Sequence, residues 1–369
     1  MPKVITAPKP KAPLPKALAG SSLLTDVIIN KYQYHCPLYR QSKIFASYGA
    51  QLPDNTLGNW TLQTANQLMP YLLEPLWQAA LSSPYLQIDE TPVTIQTENK
   101  KGYLWAYLAP YAGQGLVLFD LSLTRSSSVP ETRLSHFKGI IQTDGYGGYN
   151  NLRKRPDITS CGCLTHSRRK FVEVVKITQD KHGIAAEFIE RVKPLYALEA
   201  RMRQLQLNHH SRKRLRQKQA WPIIKILFPW LKKQFTQVLP KSKLGQAIYY
   251  TLNQWPSITA YLRHGMAEID TNFIENEIRP VALGRKNWLI MNNKNSGGVH
   301  AFWFSLIASA LKNQLNPRIY IHFLIAHIHE IRKKEIKPEK ILPHTINKAL
   351  LQEFSNKQDE LAKKIFDSS

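Results

Sequence analysis

The chain has 369 residues, 50 of them Lys or Arg against 26 Asp or Glu, for a formal net charge of +24. That length allows two or three domains at roughly 100–200 residues each, and 43% hydrophobic residues with 8 Trp, 16 Tyr and 13 Phe exclude a wholly disordered chain. No stretch reaches about 18 consecutive apolar residues, and the first twenty lack the apolar run of a signal peptide, so a soluble protein kept in its compartment of synthesis is expected. Cys36, Cys161 and Cys163 are too few for a disulfide framework, which fits a reducing cytosol. Charge of this sign spread over the whole chain favours a polyanion. Nucleic acid leads, ahead of acidic membranes or charge that serves solubility alone.

Residues 1–20 hold five prolines among lysines, a composition that predicts an extended tail without a packed core. From 21 to 82 the apolar residues fall at helical spacing, and two short helices are expected around a turn at Gly49, with Asp54 and Asn55 as caps. A helix-turn-helix reader of DNA and a small helical bundle packed on the neighbouring domain are equally good readings. The period then changes. YLQIDETPVTIQTE, GYLWAYLAPY and GLVLFDLSLT read as three consecutive antiparallel strands, and SSSVPETRLSHFKG as a short helix. After these come the strand GIIQTD, the glycine-rich turn GYGGYNNL, a strand over TSCGCLTH and a helix over HSRRKFVEVVK. Three meandering strands followed by alternating helices and strands require a mixed α/β sheet flanked by helices, in the order of the ribonuclease-H-like fold.

Residues 181–265 are helical throughout and strongly cationic, and read as an inserted helical subdomain between 83–180 and 266–335, the two parts of the sheet domain. In the second part a helix starts at Asn272, followed by the apolar run WLIM, a loop NNKNSGG and the helix VHAFWFSLIASALKNQL. The segment 336–369 is polar and Lys-rich and predicts a marginal helix.

Asp89 lies within the first strand and Asp144 at the carboxyl end of the fourth, so a sheet that sets these strands side by side brings the two carboxylates together. Two such acids repel unless a cation lies between them, and Mg²⁺ or Mn²⁺ suits oxygen donors of this kind. Glu275 is the candidate third acid. Each has a plainer reading: Glu275 is spaced as a capping-box residue after Asn272, Asp144 precedes Gly145 as in a turn, and Asp89 or its neighbour Glu90 is a solvated strand-end charge. Cys161, Cys163 and His166 include zinc-type donors, but Cys-x-Cys within one strand is an atypical chelate without an evident fourth ligand.

YLQIDETPV, KGYLWAYLAP, GIIQTDGYGGYNNL, GCLTHSRRKF, NFIENEIRPVALGRKNWLI and SLIASALKNQLNPRIYIHFL, in this order, resemble the transposases of insertion-sequence family sixty-six, members of the aspartate-aspartate-glutamate (DDE) transposases. The resemblance runs from about Pro8 to Ile328. It implies that Asp89, Asp144 and Glu275 match a metal-binding triad for two Mg²⁺ or Mn²⁺ ions, and that the helices between the second and third acids are the family's insertion. The activity implied is cleavage and strand transfer of double-stranded DNA at the ends of a mobile element, in the bacterial cytoplasm at the nucleoid. Homo-oligomers on DNA and accessory proteins of the same element are the partners implied. Arg169, Arg279, Arg285 and Lys286 are then expected to contact DNA, and Trp288 either stacks on an unpaired base or belongs to the core. Two departures are visible: no cysteine-rich zinc module precedes the Pro-rich segment, and Asn276 stands where the family commonly has Arg. They keep two rivals open, a non-catalytic DNA-binding remnant and a nuclease on the same fold.

Overall fold

The run Tyr85–Ile95 changes character midway: its first four residues are buried and its last five alternate between buried and exposed. A strand does this where it passes from a region of sheet covered on both faces to one covered on a single face. In the computed structural model, which describes residues 12–15, 17–95, 100–111, 114–288, 290–291 and 294–367, this run is β1, and the sheet is built around it. β2 (Lys100–Tyr111) pairs antiparallel with β1, and β3 (Gln114–Ser122) antiparallel with β2. On the other side β4 (Gly139–Gln142) runs parallel to β1, and β5 (Ile158–Cys161) parallel to β4. The order β3-β2-β1-β4-β5 is that of a ribonuclease-H-like mixed sheet, as expected, and β6 (Ile290–Met291) adds to the far end of β1 in parallel.

Three N-terminal helices, α1 (Ser21–Tyr32), α2 (Leu38–Ser47) and α3 (Asp54–Leu81), precede the sheet, with Gly49 at φ +84° where the chain turns between the second and third. Only glycine holds that φ without strain. Leu24, Ile28, Leu68, Leu72 and Leu76 share one core with the sheet and the C-terminal helices, so α1 and α3 form a covering layer. Leu14, Ala17 and Ala19 are buried in the same core. Of the tail expected over residues 1–20, residues 1–11 and 16 lie outside the described residues, while Leu14, Ala17 and Ala19 find an apolar surface that average composition conceals.

The short helix α4 (Ser128–Arg133) precedes β4 and α5 (Asn150–Arg153) follows it, α5 packing on β5, and α6 (Leu164–Thr178) follows β5. The strand expected over TSCGCLTH is shorter than its apolar run. Gly162 N–H donates to Ser257 O at 2.7 Å and Leu164 N–H to Ile269 O at 3.1 Å, so these amides leave the sheet and the helix starts early. The insertion comprises α7 (Ile184–Gln204), α8 (His209–Leu215), α9 (Trp221–Phe235), α10 (Lys243–Asn253) and α11 (Trp255–Ala260). With α6 it encloses a second core, in which the Phe171 and Phe188 rings stack at 3.8 Å beside Leu195, Leu227 and Ile248.

The chain then returns through α12 (Asn272–Trp288), α13 (Lys294–Lys312), α14 (Pro317–Ala326), α15 (Ile328–Arg332) and α16 (Lys348–Asp367). α13 begins inside the segment read as a loop, since Lys294–Gly298 is already helical. It covers the outer edge of β3. Ser305 Oγ accepts from Phe119 N–H at 2.9 Å, Ser309 Oγ accepts from Val117 N–H and donates to Val117 O, both at 3.0 Å, and Asn313 Nδ2 donates to Gly115 O at 2.7 Å. Four residues of helix rise about 6 Å and two of strand about 6.7 Å, so a helix ladder at i, i+4 and i+8 keeps step with alternate strand residues. The polar C-terminal segment is better anchored than its composition predicts. Ile341, Leu342, Ile346 and Leu351 are buried, and Phe354 packs edge-on against Phe323 at 5.5 Å.

Candidate active site

The site is set by register. Gln87 of β1 pairs with Gln142 of β4 in parallel, and their side chains meet at 3.4 Å on one face of the sheet. Side chains two residues further along a strand return to the same face, so extending this register sets Asp144 opposite Asp89 on that face. β4 ends at Gln142 and the chain turns at Asp144, whose Oδ1 accepts the Tyr146 N–H at 2.9 Å. Asp144 thus serves the turn as well as standing at the strand end. Gly145 permits this approach, because a β-carbon there would collide with the Tyr250 hydroxyl from α10.

Asp89 is half-buried, and its Oδ1 accepts the Glu90 N–H at 2.8 Å. Its carboxyl is pushed up to about 7, chiefly by burial and then by Glu90, with Asp144 and Glu275 adding to the rise. Glu90 is not a solvated strand-end charge. Its side chain is 1% exposed, Arg125 Nε donates to Oε1 at 2.7 Å and the Tyr149 hydroxyl donates to Oε2 at 2.5 Å. Sequence reasoning missed this anchor, since an acid beside another in a strand carries no mark of its depth.

Glu275 stands in the first turn of α12, and no capping box forms there. The Asn272 N–H is taken by Asp270 Oδ1 at 3.1 Å, while Glu275 Oε2 is ion-paired with Arg169 of α6. Its Oε1 is buried, accepts no hydrogen bond among the described residues, and lies 3.9 Å from His166 Nδ1. Burial lowers the pKa of the His166 imidazole against the opposing pull of Asp144 and Glu275.

Three buried side chains hold the segment that carries Glu275. Gln142 Nε2 donates to Gly162 O at 2.8 Å and to Glu268 O at 2.7 Å. Gln87 Nε2 donates to Asp270 O at 3.1 Å, and Gln87 Oε1 accepts from Ile274 N–H at 3.0 Å. The Tyr85 hydroxyl donates to Gln142 Oε1 and accepts from Gln87 Nε2 at 2.8 Å. Buried glutamines of this kind keep their polar groups paired, and the fold supplies those partners from the segment 268–274.

Among the described residues, the oxygens of Asp89, Asp144 and Glu275 are not all drawn within 4.8 Å of one another; Cys163, His166 and Glu275 are. The acids share a field without sharing one tight cage. As donors they are all oxygen, which suits Mg²⁺ or Mn²⁺, and the unpartnered Oε1 of Glu275 leaves one oxygen available. Of the expected DNA-contacting residues, Arg169 is about half exposed and Arg279 and Lys286 are exposed, whereas Arg285 donates to Pro92 O and ties α12 to β1. The Trp288 side chain lies outside the described residues. No described helix is long and apolar enough to cross a membrane.

A model of the transposase IS66 family matches residues 16–299. Uncharacterized protein y4jD of Sinorhizobium fredii (strain NBRC 101917 / NGR234) is 32% identical over 340 residues, covering 88% of this chain and 66% of its own. Uncharacterized protein y4hP of the same organism is 26% identical over 342 residues, with 87% and 61% covered. The chain therefore spans about two thirds or less of the length of the curated relatives it matches. Since the family match takes in all six strands, the insertion and the segment bearing Glu275, the chain belongs to the transposase IS66 family.

Proposed function

We propose that this transposase cuts DNA at insertion-sequence ends and joins the freed ends to a target in a metal-dependent reaction, with Asp89, Asp144 and Glu275 as the metal-binding carboxylates. The observation that carries the reading is that three acids, the second and third 55 and 186 positions after the first, lie close enough to interact: Asp89, whose carboxyl pKa is raised to about 7 by burial first and then by its neighbour Glu90, also feels Asp144 and Glu275. Acids gathered from distant segments raise one another's pKa values, a cost that a fold keeps where a cation is to be bound. What Mg²⁺ or Mn²⁺ supplies when bound is activation of the attacking oxygen and stabilisation of the leaving one at phosphorus.

The chain's own residues do the rest. Asp89 and Asp144 present oxygens on one face of the sheet, and the Gln87–Tyr85–Gln142 network fixes where Glu275 enters. Arg168, Arg169 and Lys170 on α6 and Arg279 and Lys286 on α12 are exposed cations that neutralise phosphates entering the site. Synapsis of two DNA ends calls for more than one copy, with accessory proteins of the same element as further partners.

Incubation of the chain with labelled transposon-end DNA and Mg²⁺, beside Asp144→Ala, tests the reading. Cleavage and joining by the wild type, both lost in the variant while binding remains, support it. Cleavage without joining points to a nuclease, and binding without cleavage by the wild type to a non-catalytic remnant; either overturns it.

A further inference from the structure

Glu275 faces two donor sets of different chemistry. Asp89 and Asp144 offer only oxygen, while Cys163 and His166 offer sulfur and nitrogen. We propose that Cys163 Sγ, His166 Nδ1 and Glu275 Oε1 form a binding site for a borderline transition-metal cation of the Zn²⁺ class, with a fourth position left for water or a phosphate oxygen.

Four observations carry this. The three ligand atoms all lie within 4.8 Å of one another, and the nitrogen and the oxygen are 3.9 Å apart. With bonds of about 2.0–2.3 Å, tetrahedral ligands stand roughly 3.3–3.6 Å from each other in a set with one sulfur, so the set needs to contract by about 1.5 Å or less. Second, His166 Nδ1 and Glu275 Oε1 are both buried atoms without a hydrogen-bond partner among the described residues. Leaving two such atoms dry and facing each other is costly unless something joins them. Third, the other oxygen of Glu275 is engaged by Arg169, so Oε1 is free to bind while Oε2 stays paired, and Arg169 orients the carboxylate as an outer partner of a metal ligand does. Fourth, Cys163 holds the N-cap position of α6 and His166 lies three residues on, so thiol and imidazole stand at the first helical turn.

The Thr271 N–H points at Cys163 Sγ at 3.3 Å, a backbone donor that stabilises a thiolate. Burial pushes the Cys163 thiol up to about 11, so the free protein holds it protonated, and cation binding releases that proton to solvent. Cys161 takes no part. It is buried in the insertion core, which removes the Cys-x-Cys chelate from consideration. A thiolate and an imidazole select borderline cations over Mg²⁺, so this site and the acid site differ in the ion they take while sharing Glu275.

The test uses the full-length untagged chain, stripped of metal and titrated with Co²⁺ and then Zn²⁺ alone. Expected are one bound Co²⁺ with a thiolate-to-cobalt charge-transfer band, displaced by Zn²⁺ and resistant to excess Mg²⁺. The band disappears in Cys163→Ser and persists in Cys161→Ser, and Co²⁺ affinity falls at least tenfold in His166→Asn. X-ray absorption of the Zn²⁺-loaded wild type, which needs no variant to fold, should show a single sulfur neighbour at about 2.3 Å. Absence of sulfur from the Zn²⁺ shell, or a band that survives Cys163→Ser or follows Cys161, overturns the proposal. Failure of these outcomes leaves the carboxylate reading standing, since that reading requires no sulfur ligand, whereas a cation bound here competes with Mg²⁺ for Glu275 Oε1.

Discussion

Gln142 grips the backbone of Glu268 from both sides: its Nε2 donates to the Glu268 carbonyl at 2.7 Å and its Oε1 accepts from the Glu268 N–H at 3.2 Å. The strand that ends beside Asp144 thereby fixes the segment that leads into the helix of Glu275. Gln142→Leu keeps the volume and removes every one of these bonds. It leaves several buried backbone groups unpaired, each costing about 1–3 kcal/mol, so urea unfolding should show a loss of roughly 3 kcal/mol or more. Cleavage should fall further than stability explains, by at least tenfold at a temperature where the variant is folded, because Glu275 loses its support.

Arg169 pairs with the candidate acid Glu275 and is itself about half exposed. An exposed ion pair stabilises by about 0–1 kcal/mol, so Arg169→Ala should unfold within about 1 kcal/mol of the wild type. If its remaining N–H groups meet phosphate, the dependence of end-DNA binding on salt should flatten by about one counterion. An unchanged salt slope would leave Arg169 only its role at Glu275.

What the sequence made legible was what repeats or alternates. Three strands and a wholly helical stretch from Ile184 follow from period alone, the mixed sheet from the succession of strands and helices, and the two aspartates from their places within the first strand and just after the fourth. The polar interior was hidden. Gln87 and Gln142 sit in strands as a surface residue would, Glu90 reads as a solvated charge, and nothing in GCLTHSRRKF says that Glu275 will arrive beside Cys163 and His166. These depend on which segment is laid over the sheet, which only the fold decides. Leu14 and the start of α13 at Lys294 were missed for the same reason: the surface that receives them comes from distant chain.

Ser309 satisfies both backbone groups of Val117 on the outer strand of the sheet. In Ser309→Ala the β-carbon stays and both bonds go, leaving a buried N–H and C=O without partners. A loss of about 2–3 kcal/mol in denaturant unfolding is expected. The uncovered edge also becomes a template for strand pairing, so the variant should aggregate on warming at concentrations where the wild type stays clear in light scattering. Ser309→Thr, which keeps the hydroxyl, should retain most of the stability.

Arg216 is fully buried in the insertion, where Nε meets Glu199 Oε1 at 2.7 Å and Nη1 donates to Tyr261 O at 3.0 Å and His264 O at 2.8 Å. Arg212 links the same Glu199 to Glu268, so the charged chain runs from the insertion to the segment held by Gln142. Arg216→Met leaves the buried Glu199 carboxylate with Arg212 as its one remaining ion-pair partner among the described residues and should cost about 3 kcal/mol. Because the insertion has its own core, its loss should appear as a separate early phase in urea unfolding. Replacing Glu199 by Leu as well should recover much of the loss, as removing both charges of a buried pair commonly does.

Lys31 supplies a pH signature away from the acids. It lines a cavity of about 380 Å³ together with Asp54, Asn59 and His300, and burial lowers its pKa from 10.5 to about 8. The folded state thus binds this proton less tightly than the unfolded state does. The penalty is complete below about pH 8 and is relieved as pH rises toward 10.5, so this residue makes the protein gain stability in that window. The difference between the two values corresponds to roughly 3 kcal/mol. Lys31→Met should therefore melt above the wild type at pH 7, and the gap in Tm should narrow steadily by about pH 10. A gap that stays constant across that range would show that Lys31 keeps its charge at all these pH values.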